Sequence, residues 1–391
     1  MKRKICFMMI VLLTGLVLGS AVLAGPRTGS GPIGRKIVVF DKKTFANEPV
    51  RDAVLGRAGI HGKIKDLPLV NGVVVIMPSK AAERALRKEA GIARIDDDVR
   101  VEALAQTLPW GVDRIDAEKA WSTTTGDPVK VAIIDTGIAS SHPDLSANLK
   151  GGVSTVGYTS KYNDDNGHGT HVAGTVAALN NTTGVVGVGP KIDLYAVKVL
   201  DRFGSGYLSD VIEGLDWAVG NGMKVVNMSL GTSSYNKSLE DAVKRVNAAG
   251  IVQVAAAGNS GSADNTVNYP AKFAQVIAVG ATDSSTSNNI AYWSSRGPEV
   301  DLAAPGVNIY STWPSRSYKT LSGTSMASPH VAGTAALVLT RPVGAYDLDA
   351  DSVWDPIEVQ NKLEFTATDL GAAGKDNLYG SGLVNAEKAV Q

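Results

Sequence analysis

The sequence is almost free of cysteine. Cys6 is the single one among 391 residues, and it lies in an apolar run near the N-terminus. The rest of the chain therefore forms no disulfide and no thiolate metal site. Its stability must come from packing and from hard cations, which bind oxygen atoms.

Residues 105–391 are short of positive charge. The whole chain has no net charge, with 38 Lys and Arg against 38 Asp and Glu. Residues 25–104 nevertheless carry a net charge of +5, whereas residues 105–391 carry −8. Because contacts to phosphates need clustered Lys and Arg, the acidic main body argues against nucleic-acid binding. The opposite charges indicate that the two segments attract each other.

Long apolar runs are absent except at the N-terminus. Residues 2–4 are positively charged, residues 5–18 are mostly apolar, and residues 21–24 end in small side chains. This pattern predicts a signal peptide over residues 1–24 that is cleaved after Ala24. An uncleaved membrane anchor is the alternative, and the glycines and serine within the run weaken it. We expect a secreted, extracellular protein whose mature form has no membrane segment.

The remaining chain divides into two patterns. Residues 25–104 predict a small α+β domain with strands at 36–40, 72–76 and 93–101 and a helix at 80–89. From residue 105 onward, apolar strands alternate with helices, which indicates an α/β fold with a mainly parallel sheet covered by helices on both faces. We expect strands at 129–134, 193–199, 224–228, 252–256 and 276–279 and helices at 168–179, 207–221, 238–249 and 324–339.

Three polar residues stand at strand or helix ends, where a parallel sheet places its chemistry. Asp135 follows four apolar residues, while His168 and Ser325 open two predicted helices behind a glycine-containing segment. Each alone has an ordinary structural explanation, as a turn aspartate, a buried histidine or a helix N-cap. Together they are the nucleophile, general base and orienting carboxylate of acyl transfer.

A metal site at His168 and His171 is not favoured. The two histidines are three residues apart, a spacing that some metal sites use. No carboxylate or cysteine joins them within the motif, however.

The motifs around these residues closely resemble the three signatures of subtilisin-like serine proteases, in the order Asp, His, Ser. They are residues 135–137 (Asp-Thr-Gly), 168–171 (His-Gly-Thr-His) and 323–327 (Gly-Thr-Ser-Met-Ala). The resemblance implies a subtilisin-like fold over residues 105–391 and a serine endopeptidase. A lipase-type hydrolase is disfavoured, because residues 323–327 lack the second glycine of the nucleophile elbow. The alternative of another class is a secreted, calcium-stabilised protein that never releases its leading segment.

The resemblance also implies an oxyanion site and a substrate groove. Asn259 resembles the family's side-chain donor to the oxyanion, and two segments resemble the edges between which a substrate lies extended. The substrate-binding residues it implies are Gly204, Ser205, Gly206, Ser229, Leu230, Gly231, Ala256 and Gly258. Residues 229–231 and 256–258 would also form the walls of the pocket for the residue before the scissile bond. These side chains are small and uncharged, so we expect a preference for large apolar residues at that position. Asn268 stands where the family usually has a smaller residue, at the floor of that pocket.

A propeptide is the family's usual leading segment, and residues 25–104 have its length and place. The resemblance implies a ferredoxin-like domain that helps the catalytic domain fold and then inhibits it. Residues 105–112 resemble the start of mature family members, so we expect self-cleavage between Leu104 and Ala105. The expected partners are protein or peptide substrates and the chain's own propeptide, with the mature enzyme a monomer.

Two calcium sites are expected. The resemblance implies one with ligands from Gln106, Asp144, Leu179, Asn181, Thr183 and Val185. The second comes from spacing alone, because residues 347–358 carry acids at positions 1, 3, 5, 9 and 12, as in an EF-hand loop. These acids are Asp347, Asp349, Asp351, Asp355 and Glu358. Ser352 replaces the usual glycine of that loop, and a solvated acidic loop remains the alternative.

Overall fold

The computed structural model describes residues 34–41, 48–99 and 105–391. The chain divides near residue 103 into two compact units. The predicted signal peptide and Leu104 lie outside the described residues. Within the described ranges, no helix has the length and apolar character that crossing a membrane requires.

The N-terminal unit is a four-stranded antiparallel sheet with two helices. Its elements are β1 (Gly34–Phe40), α1 (Glu48–Arg57), β2 (Gly62–Leu67), β3 (Gly72–Met77), α2 (Lys80–Arg87) and β4 (Ile92–Asp97). The strand order is β2-β3-β1-β4, which with this sequence of elements is a ferredoxin-like βαββαβ arrangement. Both helices bury apolar residues in the same core, so they cover one face of the sheet.

The C-terminal unit is built on a seven-stranded parallel sheet in the order β11-β10-β9-β8-β5-β7-β6. The strands are β5 (Lys130–Asp135), β6 (Leu149–Ser154), β7 (Asp193–Lys198), β8 (Val225–Met228), β9 (Val252–Ala256), β10 (Ile277–Thr282) and β11 (Leu302–Pro305). A hairpin of β12 (Ile309–Trp313) and β13 (Ser317–Leu321) lies outside this sheet. The prediction of a mainly parallel sheet is confirmed.

Helices cover both faces of the sheet, as predicted. They are α3 (Trp110–Arg114), α4 (Ala117–Ala120), α5 (His168–Ala177), α6 (Leu208–Gly220), α7 (Lys237–Ala248), α8 (Thr324–Val338), α9 (Pro356–Thr366) and α10 (Ala386–Ala389). Strand β5 shows why two layers form: Val131 and Ile133 join the core under α5 and α8, whereas Ala132 and Ile134 join the core under α6 and α7. The strand is apolar on both sides because both sides are covered.

Candidate functional site

The three motif residues lie at the ends of elements that meet where the parallel strands have their carboxyl ends. Asp135 is the last residue of β5 and is fully buried. His168 is the first residue of α5. Ser325 is the second residue of α8, and every other residue of that helix is buried. Ser325, the candidate nucleophile, is therefore the one residue of this helix that is partly accessible to solvent.

Asp135 and His168 form a close pair. His168 Nδ1 lies 2.8 Å from Asp135 Oδ1 and 2.9 Å from Oδ2, and the backbone N–H of Thr136 donates to Oδ1 at 2.7 Å. This contact places the proton on Nδ1 and leaves Nε2 as the basic nitrogen. Burial lowers the pKa of His168, but the nearby carboxylates, Asp135 above all, together more than offset this effect, so the pKa lies above its ordinary value.

The contact between β5 and α5 is made by backbone. A Cβ atom on Gly169 would lie 2.2 Å from the carbonyl oxygen of Gly137 and 3.1 Å from Asp135 Cβ. Only glycine allows the first turn of α5 to approach the Asp135 turn so closely. The glycine next to the histidine is therefore part of what brings imidazole and carboxylate together.

Ser325 is paired with Ser229 by two hydrogen bonds. Ser325 Oγ donates to the carbonyl oxygen of Ser229 at 3.1 Å, and Ser229 Oγ donates to the carbonyl oxygen of Ser325 at 2.8 Å. The second bond is available because Pro329, four residues along α8, has no N–H for that carbonyl. Ser325 Oγ thus donates to Ser229 rather than to His168, and catalytic hydrogen bonds of this kind commonly form only when substrate binds.

Asn259 is held by its amide oxygen, and its amide nitrogen has no hydrogen-bond partner among the residues that the structure describes. Its Oδ1 accepts from the backbone N–H of Thr324 at 3.0 Å and from Thr324 Oγ1 at 3.1 Å. The residue that orients the amide is therefore the one that precedes Ser325. With the oxygen occupied, Nδ2 remains as a donor beside the first turn of α8, where the positive end of the helix dipole also favours negative charge.

A cleft and a smaller pocket adjoin these groups. The cleft has a volume of about 610 Å³ and runs between residues 204–206 and 229–231, with His168 in its wall. The pocket has about 170 Å³ and shares Leu230 and Gly231 with the cleft. Every residue expected to bind substrate lines one or the other, and Asn259 and Ser325 line the pocket.

Asn268 also lines the pocket, as expected from its place in the sequence. A Cβ atom on Gly258 would lie 2.7 Å from Asn268 Nδ2 and one on Gly231 would lie 3.2 Å from Asn268 Cβ, so the asparagine side chain lies against both glycines. The pocket carries no ionised side chain among the residues that line it. It is suited to an uncharged side chain whose size Asn268 limits.

The six residues expected at the first calcium site lie together. Gln106 Nε2 donates to the carbonyl oxygens of Leu179 and Val185, and Asn181 Nδ2 donates to Asp144 Oδ1. The N–H groups of Thr183 and Val185 bond to Asn181 and Asp144. Rotation of the Gln106 amide would turn its oxygen towards the Leu179 and Val185 carbonyls, and with the Asp144 carboxylate these oxygen atoms are the kind of donor that calcium prefers. The residues therefore fit a calcium ion.

At the second expected site the structure brings together three of the five acids. Asp347, Asp349 and Asp351 have carboxylate oxygens within 4.8 Å of one another. Asp355 and Glu358 instead form a capping box at the start of α9. Glu358 is buried and accepts from the backbone N–H groups of Leu348 and Asp355.

Two functional candidates did not emerge from the sequence. Lys198, at the end of β7, is fully buried and donates to the carbonyl oxygen of Thr136 at 2.7 Å. Asp164 is buried four residues before His168 and contacts Thr136 from the other side. A charged residue at the end of an apolar strand was a usable signal for Lys198, whereas Asp164 lies in a polar loop without periodicity.

Known proteins resemble this chain over most of its length. Residues 126–382 match the model of the subtilase family. An alkaline protease of Alkalihalobacillus alcalophilus is 49% identical over 308 residues, which are 78% of this chain and 76% of the relative. Subtilisin Savinase of Lederbergia lenta is 50% identical over 288 residues, 73% of this chain and 100% of the relative. Subtilisin J of Geobacillus stearothermophilus is 44% identical over 370 residues, which are 93% of this chain and 92% of the relative.

These matches agree with the geometry of the site. The family match contains Asp135, His168, Asn259 and Ser325, and the relatives cover most of the chain. The chain therefore belongs to the subtilase family and is a subtilisin-like serine endopeptidase.

Proposed function

We propose that the chain is made as a secreted zymogen that releases its own catalytic domain. Residues 1–24 direct export and are removed after Ala24. Residues 25–104 assist folding, are cut off between Leu104 and Ala105, and then inhibit the mature enzyme, which is a monomer. Subtilisin Savinase supports a division of the chain, because the whole of that relative aligns with only 73% of this chain, about the share that residues 105–391 make up.

The proposed mechanism is hydrolysis through an acyl-enzyme. Ser325 Oγ attacks the peptide carbonyl while His168 Nε2 takes its proton, and His168 then returns the proton to the leaving amine. Asp135 remains ionised and holds the imidazole through Nδ1. Asn259 Nδ2 and the backbone N–H of Ser325 donate to the oxyanion. A water molecule activated by the same histidine hydrolyses the ester.

The observation that carries this proposal is the arrangement at one edge of the sheet. A histidine paired with a buried carboxylate lines the same cleft that continues into the pocket holding Ser325 and Asn259. Leu104 would place an apolar side chain in that uncharged pocket during self-cleavage. A preference for large apolar residues before the scissile bond is thus part of the proposal.

The test is the mass and N-terminal residue of the secreted protein, for wild type beside Ser325→Ala, with calcium present. We expect the wild type to begin at Ala105 and the variant to retain residues 25–104. Ser328→Ala is a matched control, because Ser328 lies on the same helix and is buried, with its hydroxyl bonded to Asn227. If wild type and Ser325→Ala both keep or both lose the leading segment, self-cleavage by Ser325 is refuted.

Calcium is proposed as a structural ion. Gln106, Asp144 and Asn181 would hold it through side chains and Leu179, Thr183 and Val185 through carbonyl oxygens. The ion would supply positive charge that stabilises the loop beyond α5, with no part in the chemical steps. Asp347, Asp349 and Asp351 are proposed as a second, weaker site.

The two sites can be separated by melting temperatures of the Ser325→Ala protein in calcium and in a chelator. We expect Asp144→Asn to remove most of the calcium-dependent increase. The double variant of Asp347→Asn and Asp349→Asn should remove a smaller part. An unchanged increase in the double variant would exclude the second site, whatever happens at the first.

A further inference from the structure

Thr136, the residue after Asp135, is held from three sides. Its hydroxyl donates to Asp164 Oδ1 at 2.9 Å and accepts from the backbone N–H of Gly169 at 2.9 Å. Its carbonyl oxygen accepts from Lys198 Nζ at 2.7 Å. The turn that carries the catalytic carboxylate is therefore fixed by groups outside the catalytic set.

Asp164 is the centre of this arrangement. Its side chain accepts five hydrogen bonds of 2.5 to 2.9 Å while only 4% of the residue is exposed. One comes from the Thr136 hydroxyl, and the others come from the N–H groups of Asn166, Gly167 and Thr170 and from the Thr170 hydroxyl. Four of the five donors thus belong to the segment that flanks His168.

The carboxylate joins the two halves of the catalytic pair. One oxygen bonds the turn after Asp135 and the loop before His168, and the other bonds the first turn of α5. No ion pair links Asp164 to a Lys or Arg within the part of the chain that the structure describes. Its charge is balanced by N–H and O–H donors, and a buried carboxylate persists only when it is bonded in this way.

We propose that Asp164 is a positioning residue that holds Asp135 and His168 in the register that proton transfer from Ser325 requires. The inference rests on the proposed function, because it assigns Asp164 a part in the same reaction. A displacement of about 1 Å between reacting groups can lower a rate about 100-fold, so such a support affects kcat.

The charge of Asp164 also acts on the imidazole. Burial lowers the pKa of His168, Asp135 raises it most strongly, and Asp164 raises it further. Other charged or titratable groups near this pair are Lys198, which pairs with Asp165 at 2.7 Å, His171 on the same helix, and Lys319 above Trp313. Burial lowers the pKa of His171 to about 4, so it is neutral at working pH.

A purely structural role for Asp164 makes a different prediction. If the carboxylate only caps the N-terminus of α5, its removal lowers the melting temperature and leaves the pH profile of the folded enzyme in place. If it positions Asp135 and His168 and raises the pKa of His168, its removal changes kcat and also shifts the acid side of the pH profile of kcat/KM. The pH profile therefore separates the two explanations.

The experiment compares Asp164→Asn and Asp164→Ser with wild type and with Asp216→Asn. Asp216 is exposed on α6, so that control removes the same charge far from the site. The kinetic readouts are kcat and KM on a chromogenic peptide and the pH dependence of kcat/KM. The pKa of His168 is also measured by NMR at low temperature, where self-digestion is slow. The chain has only five histidines, so their signals can be assigned.

We expect both Asp164 variants to lose about 10- to 100-fold in kcat with little change in KM. Their acid limb and the pKa of His168 should fall by about 0.5 to 1 unit, as expected for loss of one nearby charge. Asp216→Asn should leave kcat, KM and the pKa unchanged.

Folded variants with an unchanged pKa and kcat would overturn the proposal. Failure of both variants to fold would overturn it as well, since the carboxylate would then act on the fold rather than on His168. The NMR titration needs no turnover, so it still decides the effect on His168 if wild type proves inactive. Inactive wild type would refute the proposed function separately.

Discussion

Two buried histidines should make residues 105–391 sensitive to acid. His171 and His330 are fully buried, and within the described chain His171 Nδ1 and His330 Nε2 have no hydrogen-bond partner. Protonation would bury an additional N–H without an acceptor, which is costly. Burial accordingly lowers the pKa of each to about 4 from an ordinary value of 6.5.

Acid lowers the free energy of unfolding because the unfolded state binds protons more readily than the folded state. Both histidines are neutral in the folded protein at pH 5, whereas in the unfolded chain they are almost fully protonated. Their contribution is therefore complete above pH 6.5 and is lost as the pH falls from 6.5 towards 4. Each histidine lowers the free energy of unfolding by about 2 kcal/mol at pH 5 relative to neutral pH. The two together lower it by about 4 kcal/mol.

The assay is urea unfolding of the Ser325→Ala protein at several values between pH 5 and 7, followed by tryptophan fluorescence. All six tryptophans lie in residues 105–391, so the signal reports that unit alone. His171→Leu and His330→Leu should each lower the free energy of unfolding at pH 7 but reduce its loss on acidification by about 2 kcal/mol. An equal loss in wild type and both variants would refute the reasoning.

Three further predictions concern the reaction. Asn259→Ala should lower kcat about 100- to 1,000-fold with little change in KM, a magnitude established on subtilisin itself and carried over within the family; an unchanged kcat would remove Asn259 from the oxyanion site. Asn268→Gly should deepen the pocket and raise kcat/KM for Phe relative to Ala before the scissile bond by about 4-fold per additional buried methylene. Equal ratios in the two proteins would contradict the assigned floor. Because the pKa of His168 is raised above 6.5, kcat/KM should fall with acid from above pH 6.5, and an optimum at acidic pH would oppose His168 as base.

The sequence predicted the central strands well because they are apolar on both faces. The prediction of 252–256 coincides with β9, and β5 and β8 differ from their predicted bounds by one residue at one or both ends. Such runs leave little choice of structure once helices flank them. The start of α5 at His168 was also predicted, since the glycine before it ends the preceding segment.

The elements that were not predicted have weaker or ambiguous patterns. Strand β6 lies at the edge of the sheet and contains Gly151 and Gly152, so it has no apolar run to detect. The hairpin of β12 and β13 follows a strand too closely to fit an alternation of strands and helices. In the N-terminal unit, α1 has almost no apolar face along its length.

Helix α9 was missed because one set of acids carries two signals. Asp355 and Glu358 occupy positions 9 and 12 of the expected calcium loop, but they also form the Asp-x-x-Glu pattern of a capping box, with Pro356 at the first helical position. Spacing alone does not distinguish these readings. Within the site, the same limit applies to Asp164, whose bond to Thr136 joins residues that only the folded chain brings together.

The glycine contact between α5 and the Asp135 turn has a consequence for how the enzyme tolerates mutation. The closest approach of α5 to the Asp135 turn is limited where Gly169 meets the Gly137 carbonyl, a contact of backbone atoms that acts alongside the hydrogen bonds of Asp164. Substitutions across the surrounding core can then accumulate without changing this distance. In a randomised library, we expect Gly169 to be nearly invariant while apolar positions around it exchange freely, because a single added methyl group would push the two elements apart.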